Sequence, residues 1–203
     1  MANATLILAR HGETVGESNI RYHGRSDVAL SELGRAQMRA AARALRGFSF
    51  DHLFSSPLKR AHEGAQIIGG DQTVHCLEEF REIDFGWFEG LTAGEISSRY
   101  PQEYVRWRTD RLLAHYAYPG GERREDFRAR IERGTERMLR TWNPEQHGGN
   151  ALLVAHRGVI RTLLCLLIGA EPAVELGSIH ILENAGRWET RSLDDVSHLD
   201  GQL

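Results

Sequence analysis

Three short stretches of this 203-residue chain carry side chains that could do chemistry. "LARHG" ends in Arg10-His11-Gly12, "SSPLKRA" places Arg60 just after Ser55-Ser56-Pro57, and "VAHRG" ends in His156-Arg157-Gly158. Each begins in an apolar run that reads as a strand, so the polar residues fall where a buried strand runs out. In parallel α/β sheets, ligands bind outside the carboxyl ends of the strands. Helices that start there aim unpaired N–H groups and a positive dipole end at the same spot. Arg10, His11, Arg60, His156 and Arg157 would then converge from distant positions. Several cations and helix N-termini together describe a site for a dianion, most simply a phosphate.

A phosphate cage alone does not need two histidines. Neutral imidazole can attack phosphorus in line and give a phosphohistidine, dividing one hard step into two. Arginines and the second histidine would hold the equatorial oxygens. The leaving alkoxide needs a proton, which a carboxylic acid at the rim can supply before activating water. The acidic candidates are Glu13, Glu17, Glu78, Glu79, Glu82, Asp84 and Glu89, and the pattern alone does not choose among them. Taken singly, a histidine at a strand end is ordinarily a satisfied structural residue, and an arginine in a first helical turn a surface one. Their company argues for a site.

The elements that must position these residues alternate between strand and helix. "TLILAR" reads as a buried strand, and "SELGRAQMRAAARALRGF" as a helix capped by Ser31 and ending near Gly47. "FDHLFSS" is a second strand, with a helix from Pro57 through about Ile68, and "QTVHCL" a third. Residues 82–121 are irregular, with short helices near 92–99 and 101–112. "REDFRARIERGTERMLRTW" puts Phe127, Ile131, Met138 and Trp142 on one helical face and a solvated, charged face opposite. "NALLVAH" is the fourth strand and "GVIRTLLCLLIGA" a mostly buried helix, in which Arg161 needs an acidic or carbonyl partner. "SIHILEN" and "RWETRSL" form a closing hairpin at a sheet edge, and "DVSHLDGQL" reads as a polar, frayed end. The expected fold is α/β and three-layered. A mostly parallel central sheet carries helices on both faces and one antiparallel edge strand. No linker or repeat divides the chain, so residues 1–203 read as one domain with about 82–121 as an irregular, lid-like insertion.

Composition is that of an ordinary globular protein, 41% hydrophobic and 26% charged. The net charge of −3 provides no overall basic field, which argues against nucleic acid as the main partner. Of 25 basic residues only Lys59 is lysine, leaving 24 arginines. Arginine-rich codon usage explains that most simply, although guanidinium forks do suit phosphate. Two distant cysteines, Cys76 and Cys165, make no disulfide scaffold, and no signal peptide or membrane span is legible. A cytoplasmic protein is expected. None of the other histidines forms a metal-binding pattern, so neither a metal nor a cofactor is expected.

"LARHGET", "SSPLKRA", "REIDFGWFEG", "PGGE" and "VAHRGVIR" together, in this order and over nearly the whole chain, resemble the histidine phosphatase superfamily, the phosphoglycerate-mutase-like proteins. The resemblance implies that His11 is the nucleophile, Arg10 and Arg60 hold the phosphate, His156 bonds the transferred group, and Glu82 is the general acid and base. Glu13 and Thr14 match the motif in supporting positions. The substrate-binding set read from the sequence is Arg10, Arg60, His156, Arg157, Gly24, Trp87 and Arg108. The aromatic and basic residues between 87 and 118 either roof the pocket or pack a satellite core. Trp87 and Arg108 are the leading contacts.

Three positions depart from the family pattern. Glu17 stands where an asparagine is common. It either points away from the phosphate or meets a cationic substrate group. Arg157 replaces a glycine, either extending the anion site or lying on the surface. Arg123 replaces a serine after "PGGE". The resemblance implies a histidine acid phosphatase-type phosphomonoester hydrolase acting on a small soluble phosphate ester. "REIDFGWFEG" resembles the phosphatase branch, including members that dephosphorylate α-ribazole phosphate. The alternatives are a phosphoglycerate mutase and a silent phosphate-binding scaffold. No membrane partner is expected, and the edge hairpin leaves room for a homodimer.

Overall fold

A computed structural model describes residues 3–17 and 19–200. Six strands form one sheet: β1 (Ala4–Arg10), β2 (His52–Ser55), β3 (Val74–Cys76), β4 (Gly149–Ala155), β5 (Ile179–Asn184) and β6 (Trp188–Asp195). The helices are α1 (Glu32–Ala44), α2 (Lys59–Gly69), α3 (Ala93–Arg99), α4 (Pro101–Asp110), α5 (Arg124–Trp142), α6 (Pro144–His147) and α7 (Arg157–Ile168). The strand order is β3-β2-β4-β1-β5-β6. The first four strands run parallel, and β5 runs against both neighbours. The antiparallel edge is therefore a hairpin, in which β5 lies one strand in and β6 forms the rim.

Alternation along β1 explains the layering. Leu6 and Leu8 belong to a core shared with α5 and α7, whereas Ile7 and Ala9 belong to one shared with α1 and α2. All four are fully buried, as expected for a strand covered on both faces. The Phe127, Ile131, Met138 and Trp142 stripe of α5 is buried as its spacing predicts. Ser31 caps α1, its side chain accepting from the Gly34 N–H. Phe85, Phe88, Trp107 and Tyr118 of the middle segment pack edge to face against one another and against Tyr22 of the N-terminal loop, joining the core rather than decorating the surface.

Two local expectations need correction. Helix α2 starts at Lys59, not Pro57. The Ser56 hydroxyl accepts the Leu58 N–H and holds Pro57-Leu58 as a turn before the helix. The stretch after β6 does not fray over its described part. Ser197–Leu199 forms a 3-10 turn whose Leu199 is buried and packs near α1. Its apolar side chain anchors an otherwise polar segment, and residues 201–203 lie outside the described part. Among the described residues, no helix is long and apolar enough to cross a membrane.

Candidate active site

Strand register brings the polar strand ends together. Arg10 pairs with Ala155, and Val154 pairs with Ser55. His11, His156 and Ser56 each stand one residue beyond those pairs. Backbone bonds carry the ladder past its end, from His11 N–H to Ala155 O (3.1 Å) and from Ser56 N–H to Val154 O (3.1 Å). The two imidazoles meet edge to face, with ring centroids 5.1 Å apart.

His11 Nδ1–H donates to the Gly12 carbonyl at 2.7 Å, which fixes the tautomer and leaves the lone pair on Nε2. Arg60 Nε–H points at that nitrogen from 3.2 Å. Burial, then the charges of Arg60 and Arg10, hold His11 well below the usual imidazole range. It is neutral at physiological pH, the form in which imidazole is a nucleophile. His156 is fully buried and neutral for the same reasons. Its Nε2 meets Ser56 Oγ at 2.8 Å, while Nδ1 is buried without a hydrogen-bond partner. Because Ser56 Oγ already accepts from Leu58, its own proton can go to His156 Nε2, leaving Nδ1–H as a donor.

The two arginines are held differently. Arg60 is fully buried in the first turn of α2, and three of its four other donors go to the carbonyls of His23, Gly24 and Ser26 (2.7–3.1 Å). Those carbonyls belong to a loop organised by Glu89, whose carboxylate accepts the N–H groups of Gly24, Arg25, Ser26 and Phe85. Gly24 leaves no room for a side chain, since a Cβ would stand 1.8 Å from the Ile83 carbonyl. Arg10 donates through Nη1 to the Val174 carbonyl (2.8 Å), and its Nε is buried without a partner. Burial pulls both guanidiniums down to about 10, so each remains a cation at neutral pH. A neutral imidazole, two fixed cations and two unpartnered buried donors in one pocket can hold a tetrahedral dianion.

Glu82 is buried at the same mouth. It accepts from Ile83 N–H and, across the pocket, from Gly158 N–H in the first turn of α7, both at 2.9 Å. A Cβ on residue 158 would come within 2.4 Å of Glu82 Oε1, so the glycine lets helix and carboxylate approach this closely. Charges of Glu82 are felt by Arg10 and Arg60, which ties the carboxylate to the pocket.

The remaining sequence candidates fall in different places. Glu17 adopts a positive φ of 58° and pairs with Arg21 (3.1 Å), its side chain exposed to solvent. Arg123 precedes α5 and pairs with Glu125. Arg161 finds its acid in Glu171 at 3.0 Å. Arg108 and Arg157 line a cavity of about 940 Å³ that opens beside Glu82. Trp87 does not line it. It is 54% exposed and rests against Tyr100. Among the described residues, no three His, Cys, Asp or Glu side chains are grouped to hold a metal ion.

One residue the sequence reading missed is Arg130, assigned to the solvated face of α5. It is largely enclosed, and all five of its N–H donors are engaged. Two grip Glu122 as a bidentate pair (2.7 and 2.8 Å), and three reach the carbonyls of Glu79, Arg81 and Glu82 (2.6–3.1 Å). The usable signal was that Glu122 lies in "PGGE".

This combination of parallel strands with an Arg-His pair and a second histidine on neighbouring strand ends defines an α/β protein with a pocket able to hold a tetrahedral dianion. The chain belongs to the histidine phosphatase superfamily (branch 1), whose family model matches residues 6–195. It is 36% identical over 196 residues to a glucosyl-3-phosphoglycerate phosphatase of Mycobacterium tuberculosis, covering 90% of this chain and 86% of that protein. It is 34% identical over 189 residues to a bifunctional protein of the same organism, covering 88% of this chain. The chain spans about half the length of that relative. The crystal structure of the α-ribazole phosphatase from Shigella flexneri superposes with a TM-score of 0.81 at 30% identity, covering 94% of this chain and 96% of that one.

Proposed function

We propose that this chain hydrolyses phosphate monoesters of small molecules through a phosphohistidine on His11, with Glu82 as general acid and base. The observation that carries this reading is His11 itself, neutral, with its Nδ1 proton tied to Gly12 and its Nε2 lone pair directed into the pocket. Two of the relatives, the glucosyl-3-phosphoglycerate phosphatase and the α-ribazole phosphatase, are phosphatases by name, which supports this reading.

The steps follow from the geometry. Arg10 Nε, His156 Nδ1 and Arg60 Nε donate to the phosphoryl oxygens, Arg60 turning to them from His11. His11 Nε2 attacks phosphorus, the P–O bond to the leaving alcohol breaks, and Glu82 hands its proton to that oxygen. Glu82 then takes a proton from water, the hydroxide attacks the phosphohistidine, and the P–N bond breaks to release inorganic phosphate and free His11. With Arg60 turned to the phosphoryl group, the two cations stabilise charge on the equatorial oxygens in both steps. This sequence needs no cofactor and no metal.

The test is release of phosphate from p-nitrophenyl phosphate in excess chelator, with wild type and His11→Ala side by side. Turnover in wild type that disappears in the variant, with an acid-labile, base-stable label on wild type, is the expected result. Equal turnover in both proteins would overturn it. Isomerisation of a phosphoglycerate without phosphate release would assign a mutase instead.

A further inference from the structure

We infer that the cavity beside Glu82 is a second oxyanion subsite, and that the substrate is a phosphomonoester carrying another anionic group, a carboxylate or a second phosphate, on its leaving alcohol. This rests on the phosphatase reading and narrows its substrate class.

Charge and shape carry the inference. One wall of the cavity is aromatic, built from Tyr22, Phe85, Trp107 and Tyr118. Their rings lock edge to face at centroid distances of 5.0–5.5 Å, so the wall is preformed. Around it stand Arg108 and Arg111 from the end of α4, Arg124 from the start of α5 and Arg157 from the start of α7. Arg111 lies over the Trp107 ring at 5.3 Å. Among the described residues no carboxylate pairs with any of these four. The carboxylates in the same lining are mostly engaged: Glu82 by backbone N–H groups, Glu125 by Arg123 and Glu171 by Arg161. Glu132 remains, one turn beyond Arg128 on α5.

The four cations act on common ground. Burial raises the Tyr22 phenol, and the charges of Arg111, Arg157 and Arg108 all oppose that rise. Burial also raises Tyr118, which feels both Arg124 and Glu82. Arg157 is felt in turn by Arg10 in the phosphate pocket. The cationic rim is thus electrically continuous from the phosphate-holding arginine, past the candidate acid, to α4. Four guanidiniums around a low-dielectric wall repel one another, and an oxyanion between them relieves this while matching their planar forks. Glu17 faces solvent with Arg21, so among the described lining residues only Glu132 is left to oppose the four cations.

The experiment uses linear phosphate esters of increasing methylene length, each ending in hydroxyl, carboxylate or a second phosphate. The readout is the ratio of kcat/KM for the anion-ended ester over the hydroxyl-ended ester of equal length. A ratio of about tenfold or more at a favoured length is expected, collapsing toward unity in Arg111→Gln/Arg124→Gln. Because the ratio is internally normalised, loss of active protein does not move it. Arg157→Gln, at an exposed position without a hydrogen bond, gives the same readout should the double variant not fold. The better of the carboxylate and phosphate arms identifies the group. A ratio near one in wild type at every length, or one unchanged in these variants, overturns the subsite and leaves the hydrolase intact. Calorimetric affinities of His11→Ala for the same esters separate the two readings. Tighter binding of anion-ended esters without any turnover in wild type would keep the subsite and remove the hydrolase.

Discussion

The strongest lever on the proposed acid lies outside the pocket, in Arg130. Its guanidinium bonds the carbonyls of Glu79, Arg81 and Glu82 together, and it is braced by Glu122, which also accepts the Asp84 N–H. Arg130→Met removes three charge-assisted bonds to the backbone that carries Glu82 and leaves the Glu122 carboxylate, 17% exposed, without its partner. Breaking an enclosed pair in this way costs about 3 kcal/mol of stability, the low end of the usual range because some water reaches it. The catalytic cost is separate. A displacement of about 1 Å in a reacting group costs roughly 10²-fold, so kcat/KM for an alkyl phosphate should fall about thirtyfold to a hundredfold. An ester of p-nitrophenol, whose leaving group departs without a proton, should lose far less, because kcat/KM reports the step that phosphorylates His11. Arg130→Met/Glu122→Gln removes the stranded charge, so it should recover part of the stability without recovering the alkyl-ester rate. Equal losses for both leaving groups, or a rate that returns with stability, would refute Arg130 as a positioning residue for Glu82.

Gly158→Ala brings a methyl within 2.4 Å of Glu82 Oε1. It should lower kcat/KM for alkyl esters about tenfold or more through displacement of the acid, with circular dichroism and chromatographic size unchanged. An undiminished rate would show that Glu82 need not sit against α7. Imidazole resonances of His11 and His156 in the free protein, followed by NMR, should not titrate between pH 8 and about 6.5, because burial and neighbouring arginines lower both groups well below the usual range. A midpoint near the ordinary histidine value would undo the neutral-nucleophile argument. His180 gives a stability prediction. Burial pulls it down to about 4, and its Nδ1 accepts the Asp194 N–H, a bond that protonation would break. The unfolded chain takes up this proton first as pH falls, so the stabilisation is complete above about pH 6.5 and is lost toward pH 4. Urea denaturation should show about 2 kcal/mol less stability at pH 5 than at pH 7 from this group, with a smaller loss in His180→Gln. A loss of equal size in the variant would assign it elsewhere.

What the sequence made legible follows the range of the interactions involved. Strand β1, the α5 stripe and the cap at Ser31 are written in local spacing, and each appears where that spacing puts it. The convergence of His11, Arg60 and His156 was readable because each follows a strand end, and the order β2-β4-β1 places those ends side by side. Side chains whose meaning depends on a partner distant in sequence were not readable. Arg130 has the same local pattern as the solvent-facing arginines of its helix, and only the return of residues 79–84 beneath α5 turns it into a clamp. Trp87 shows the converse. Its place in "DFGWFEG" suggests a pocket residue, but the 3-10 turn Gly86–Phe88 buries Phe88 and leaves Trp87 outside. In a turn of three residues per repeat, neighbouring side chains point apart, so one of the two aromatics had to face away, and nothing in their shared hydrophobicity said which. The same reasoning bears on Arg157. A glycine more commonly stands at that position, and Gly158 alone meets the steric demand of Glu82. Position 157 is therefore free to carry a side chain, and the charge of the one it carries acts both on Arg10 and on Tyr22 in the outer cavity.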